Sequence, residues 1–180
     1  MNATLISQDD FYVGRKAMLL AGESGQNFDT LSAIDCEHLS LILKNAQMPC
    51  VSTIQVPNYD FVQQAPLGFK SIEVKSVLVA EGHLIFTSPN VLDQLGFLIY
   101  MDADRDVAKE RRFSRDLLQR GYDISSSRSY YEKYVVPQLD AIDKLRSQAD
   151  YIVNSNDRVD SFRPEVAIIA DILKGKIGNI

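Results

Sequence analysis

Three acidic residues stand at the ends of short apolar runs: Asp9, after Gln8, following Ala3–Ser7, Glu81 after Ser76–Ala80, and Asp102 after Gly96–Met101. Apolar runs of that length read as strands. In parallel α/β sheets, chemistry gathers beyond the carboxyl ends of the strands, where a carboxylate can accept a proton or face a cation. For Asp102 and Asp104 a plainer role, capping the helix that follows, is preferred. Three arginines form a second group. Arg112 and Arg115 are three residues apart and share a helix face, and Arg120 lies about two turns from Arg112. Guanidinium groups bind phosphate oxygens in pairs of hydrogen bonds and keep their charge. Yet Asp104, Asp106, Lys109, Glu110 and Asp116 crowd the same segment, so on residue types alone it reads as a solvated, charged face whose arginines pair with acids of their own helix. His38 and His83 read as surface or packing residues. Cys36 and Cys50, with no histidine pattern beside them, predict neither a zinc site nor a disulfide.

These groups need a scaffold, and the periodicity supplies one. Strands are expected at 3–7, 53–56, 68–74, 76–80, 96–101 and 151–154, with a loop from Pro57 to Pro66. Helices are expected within 11–26 and at 35–45, 90–95, 104–120, 127–149 (interrupted at Pro137) and 165–173. Strands alternating with helices imply an α/β fold with a buried parallel sheet. At 180 residues, with no repeat, linker or low-complexity tract, one domain spanning 1–180 is expected. The net charge of -5 argues against a sequence-independent nucleic-acid binder. No apolar stretch reaches membrane-spanning length, and the start lacks the features of a signal peptide, so a cytoplasmic location and no membrane partner are expected.

Several segments, in order, resemble the uridine kinase (uridine/cytidine kinase) branch of the P-loop nucleoside kinases, which is related to phosphoribulokinase and nicotinamide riboside kinase. They are Ile6-Ser-Gln-Asp-Asp-Phe-Tyr12, Asn27-Phe-Asp29, Pro57-Asn-Tyr-Asp-Phe-Val62, Val79-Ala-Glu-Gly-His-Leu-Ile-Phe86, Tyr100-Met-Asp-Ala-Asp-Arg105 and the basic stretch Arg111–Gly121. The resemblance extends from about residue 4 to residue 175. It implies a three-layer parallel-sheet kinase fold and ATP-dependent transfer of phosphate to a nucleoside or related ribosyl compound. It makes Asp9 the acceptor of the 5′-hydroxyl proton, with Asp10 at a position of lesser role. Tyr12, Asp29, Tyr59, Phe61 and Gln64 then line the acceptor pocket, with Asp29 on ribose hydroxyls. Glu81 would organise Mg²⁺ through water, and Arg112, Arg115 and Arg120 would belong to a lid at about 105–127. Assembly as an oligomer is also implied.

The pattern breaks at the phosphate loop. No G-x-x-x-x-G-K-[ST] segment occurs in the 180 residues, and the family's first strand, loop and first helix have no counterpart before Ser7. Gly22-Glu-Ser-Gly25 has no lysine, and Gly175-Lys176 follows a helix. Gln64 stands in place of a pocket histidine, Tyr122 of a lid arginine and Tyr130 of a glutamine. Catalytic impairment is therefore expected, as in a pseudoenzyme, with ATP binding weakened. Two explanations stay open: an N-terminally shortened form of an active kinase, or a non-catalytic binding or regulatory subunit that pairs with a catalytic kinase.

Overall fold

The computed structural model describes residues 2–156 and 162–177, and strands alternate with helices through it as the apolar runs require. β1 (Ala3–Ser7) runs parallel to β4 (Val77–Glu81), and β5 (Ile99–Asp102) parallel to β6 (Tyr151–Asn154). β2 (Thr53–Asp60) and β3 (Ala65–Glu73) form an antiparallel hairpin. The α/β class and the parallel pairing agree with the sequence, but the strands fall into three two-stranded sheets, not one continuous sheet. Among the described residues, β4 has only β1 as a partner and β5 only β6. Both strands line one cavity of about 1830 Å³. Leu5 (59% exposed), Val79 (42%), Met101 (55%) and Ile152 (41%) correct the expectation of fully buried strands. A parallel strand is buried on both faces only where other elements cover it.

The core lies on the other side of β1. Ile6 and Phe11 pack with Leu39 and Leu43 of α2 (Cys36–Ala46), Val56 of β2, and Val91 of α3 (Pro89–Leu92). Leu39, Ile42, Leu43 and Ala46 recur at helical spacing on the buried side of α2, and Asp35 caps that helix by accepting from the His38 N–H at 2.9 Å. Thr4 is buried in β1 but satisfied: its hydroxyl donates to the Glu73 carbonyl and accepts from the Lys75 N–H, both at 2.8 Å. This fixes β1 against the end of the hairpin.

The hairpin is longer than expected. Pro57 sits inside β2, where the register shifts between Pro57 and Tyr59, a position that tolerates a missing N–H. The anticipated long loop thus shrinks to a short turn, in which Gln64 adopts φ 52° and its carbonyl accepts from the Arg15 N–H at 3.0 Å. Arg15 opens the short helix α1 (Arg15–Leu20). Pro137 does not interrupt its helix either. After α4 (Arg105–Leu118) and α5 (Ile124–Tyr130), the chain widens into one π-turn over Tyr131–Val135 and continues as α6 (Val136–Leu145). The wide turn places Pro137 in the first turn of α6, where no intrahelical acceptor awaits its N–H. α7 (Arg163–Ile177) follows β6.

The capping roles given to Asp102 and Asp104 are not what they do. Asp104 precedes α4 but makes no side-chain cap, and its N–H donates to Asn156 at 2.7 Å. Asp102 pairs with Arg146 at 2.9 Å. Among the described residues no helix is long and apolar enough to cross a membrane.

Candidate functional site

β1 ends in a single 3₁₀ turn, Gln8–Phe11, that divides the work of two adjacent acids. Ser7 begins the turn by accepting from the Asp9 N–H at 3.3 Å. Asp10 is committed to Lys70 of β3 at 2.7 Å, with 15% of its side chain exposed. Asp9 points instead onto the large cavity, 4.0 Å from the Arg120 guanidinium. Gln8 is fully buried and anchors the turn from behind, accepting from the Leu84 N–H at 3.0 Å. Gly82 makes that approach feasible: a Cβ there would lie 2.3 Å from Gln8 Cβ.

Around Asp9 the cavity wall is aromatic. Tyr12 stands 5.3 Å from Tyr59 and 6.4 Å from Phe61 between ring centroids, and Tyr59 lies 5.2 Å from Phe61. Phe28 completes the group at 5.7 Å from Tyr12. Burial pushes the Tyr12 phenol well above its ordinary range, helped by the charges of Asp9 and Asp29, and burial lifts Tyr59 to about 12. Both phenols are neutral at neutral pH and can donate hydrogen bonds. Gln64 also lines this wall.

Asp29 is a buried acid of the site, at 8% exposure. Arg112 reaches it from α4 with two parallel hydrogen bonds of 3.1 Å each, the bidentate geometry that suits guanidinium and carboxylate. Burial, the largest influence, pushes the Asp29 carboxyl upward. The hydrogen bonds and charge of Arg112 outweigh it, aided by His83 and Tyr130, so Asp29 is held below its ordinary value. Arg112 shows the mirror image: burial opposes its charge, Asp29 restores it, and the net displacement is upward. Tyr130 accepts from the Phe28 N–H at 2.9 Å, and the Arg112 guanidinium lies over its ring at 5.4 Å.

This geometry corrects one expectation. Arg112 pairs across the fold with Asp29 and not only along its own helix, because α4, which follows β5, brings Arg112 to the cavity wall. His83 lies at the surface, as expected, but has a partner there. Its Nε2 lies 3.5 Å from Asp29 on the cavity wall, with 35% of the side chain exposed. Burial lowers the His83 pKa ahead of the opposing pull of Asp29 and Asp9. His83 lies inside the segment Val79–Phe86 that carries the family resemblance, but the resemblance gave it no role; its position two residues after Glu81, at the carboxyl end of β4, was the further signal. His38 behaves as expected, packing edge-on against Phe11 and Phe69.

Arg115 and Arg120 also line the cavity, so all three sequence-predicted arginines converge with Asp9, Asp29 and the aromatic wall. The Arg120 guanidinium stacks on Phe61 at 4.8 Å. Arg112 Nε and Arg115 Nε are buried and have no hydrogen-bond partner among the described residues. Donors left without acceptors beside a cavity fit an anion such as phosphate. Glu81, at the exposed end of β4, lines the same cavity as Asp9. Among the described residues no three His, Cys, Asp or Glu side chains form a metal cage. Mg²⁺ does not need one, since it keeps several waters and takes one or two carboxylates, one of which Glu81 can supply.

A family model described as the phosphoribulokinase/uridine kinase family matches residues 6–161. A uridine kinase of Pectobacterium carotovorum is 33% identical over 178 residues, covering 97% of this chain and 79% of that protein. Uridine kinase-like protein 3 of Arabidopsis thaliana is 32% identical over 154 residues; the match takes in 84% of this chain but spans only 33% of that longer protein. In three dimensions the chain is similar to D-glycerate 3-kinase from Cryptococcus neoformans, with a TM-score of 0.61, 14% identity, and coverage of 88% of this chain and 79% of the other.

Proposed function

Since the chain belongs to the phosphoribulokinase/uridine kinase family, we propose that its 180 residues form the acceptor-binding and lid portion of a nucleoside kinase. The observation that carries this reading is the buried, doubly hydrogen-bonded Asp29–Arg112 pair beside an aromatic wall and Asp9. A nucleoside or related ribosyl compound fits that arrangement. Its ring stacks among Tyr12, Tyr59 and Phe61, and its sugar hydroxyls donate to Asp29. Its 5′-hydroxyl then faces Asp9, which takes the proton as the oxygen attacks. With Asp10 tied to Lys70, Asp9 is the carboxylate free for that task.

On the other side of the reacting centre, Arg112, Arg115 and Arg120 would receive phosphate oxygens, and Glu81 would hold a hydrated Mg²⁺. Bound Mg·ATP supplies the transferred phosphoryl group. The arginines spread its charge, and the lid position of α4 keeps water from competing with the acceptor. The 180 residues hold no G-x-x-x-x-G-K-[ST] loop, so the backbone nest for the ATP phosphates is not among them. We infer that these residues bind the acceptor by themselves but do not turn it over at a kinase rate.

Calorimetric titration with uridine, cytidine and nicotinamide riboside, paired with a nucleotide-formation assay in Mg·ATP, tests both halves. Saturable binding without turnover is expected. Absence of binding to any of the three rejects the acceptor reading, and turnover on the order of 1 per second rejects the impairment.

A further inference from the structure

We propose that Asp116 is the positioning residue of the lid: its buried carboxylate, before any ligand arrives, sets where Arg112, Arg115 and Arg120 point. The proposal rests on the acceptor-and-lid reading above. Asp116 is only 4% exposed, an unusual place for an acid on a helix dense with charge. One carboxylate oxygen, Oδ1, faces Arg115 at 3.3 Å and Arg120 at 3.7 Å. The other, Oδ2, accepts from the Ser127 hydroxyl of α5 at 2.7 Å and lies 3.9 Å from Arg112 Nε.

The main chain adds a further tie. The Tyr122 N–H donates to the Asp116 carbonyl at 3.0 Å, and Gly121 turns at φ 67°. Arg120, which lies beyond the end of α4, is thereby folded back toward the cavity. Three guanidinium groups this close repel one another, and a single buried carboxylate facing all three offsets that repulsion. From Asp116 they fan out to separate tasks: Arg112 to Asp29, and Arg120 over Phe61 toward Asp9. Ser127 fixes the carboxylate in place from a second helix.

Charge and position make opposite predictions here. A carboxylate beside an anion site repels the anion, so on charge alone Asp116→Asn tightens phosphate binding. If Asp116 positions the arginines, the same change weakens it. The readout is the affinity advantage of uridine 5′-monophosphate over uridine, measured by calorimetry on the 180-residue chain. Uridine reports the acceptor pocket, including the part Arg112 plays there through Asp29, and the ratio isolates the contacts to the phosphate.

In the wild type the monophosphate binds more tightly. Asp116→Asn reduces that advantage about tenfold, the scale of a lost charged hydrogen-bond set; any loss passed to the acceptor pocket through Arg112 and Asp29 weakens both ligands and divides out of the ratio. Ser127→Ala keeps the charge and frees the carboxylate, so the advantage falls about two- to threefold. It decides the matter if Asp116→Asn fails to fold. An unchanged or larger advantage in a folded variant overturns the proposal while the acceptor reading stands. A wild type that binds no uridine removes that reading and the proposal together.

Discussion

Replacing Arg112 by Met removes both hydrogen bonds to Asp29 and leaves a carboxylate at 8% exposure with His83, 3.5 Å away, as its nearest remaining basic group. Removing one partner of a buried ion pair costs about 3–5 kcal/mol. Arg112 keeps 21% of its side chain exposed, which puts the expected loss at the lower end, about 3 kcal/mol at pH 7. For a chain of this size that is a drop of roughly 6–12 °C in melting temperature. The pH dependence is the sharper test. In the wild type the folded Asp29 carboxyl lies below its unfolded value of 3.8, so its contribution is fully present above that value and is lost as pH falls through the folded value. Without Arg112, burial is largely unopposed and pushes the carboxyl above its unfolded value. The sign then reverses: its contribution is present at low pH and is lost as pH rises through the raised value. The stability gap between wild type and Arg112→Met therefore widens from about pH 3 to pH 7, and adding Asp29→Asn closes most of it. Urea denaturation across that range measures it. A gap that is constant with pH, or below about 0.5 kcal/mol, would mean that Arg112 does not stabilise the Asp29 carboxylate in the fold.

Phe61→Ala removes the ring that Arg120 covers and that lines the acceptor wall. Uridine affinity should fall about fivefold or more in calorimetry, with little loss of stability because the ring is 36% exposed. His83 has a folded pKa below its unfolded value of 6.5, so the unfolded chain binds the extra proton and stability declines as pH falls below about 6.5. His83→Leu should flatten that part of the urea-midpoint profile, shallow as it is for a side chain 35% exposed. Gly82→Ala forces a methyl against fully buried Gln8. A loss of about 1–3 kcal/mol in thermal or chemical unfolding is expected, and a neutral result contradicts the close approach described here.

Much of the site was legible because its residues follow strand ends or recur at helical spacing. Asp9 and Glu81 follow apolar runs, and Arg112 and Arg115 lie along one helix with Arg120 just past its end. The partners were not legible, because long-range pairing leaves no local trace. Asp29 and Arg112 are separated by 83 positions, and Asp116 meets Ser127 only through the turn at Gly121. The same limit explains the strands. Local apolarity identified β1, β4, β5 and β6 but could not show that, among the described residues, they divide into two separate pairs, with β4 and β5 lining one cavity. Prolines misled twice. Pro57 sits at a register shift and Pro137 just after a π-turn, and each local distortion absorbs the missing N–H.

Nitrogen-15 correlation spectra of the chain, titrated with uridine up to millimolar concentration, test by location as well as affinity whether these residues by themselves hold an acceptor pocket around Asp29. Saturable shifts at Tyr12, Phe28, Asp29, Tyr59 and Phe61, absent in Asp29→Ala, are the predicted result. Spectra that do not move, or that move only at sites away from Asp29, contradict it.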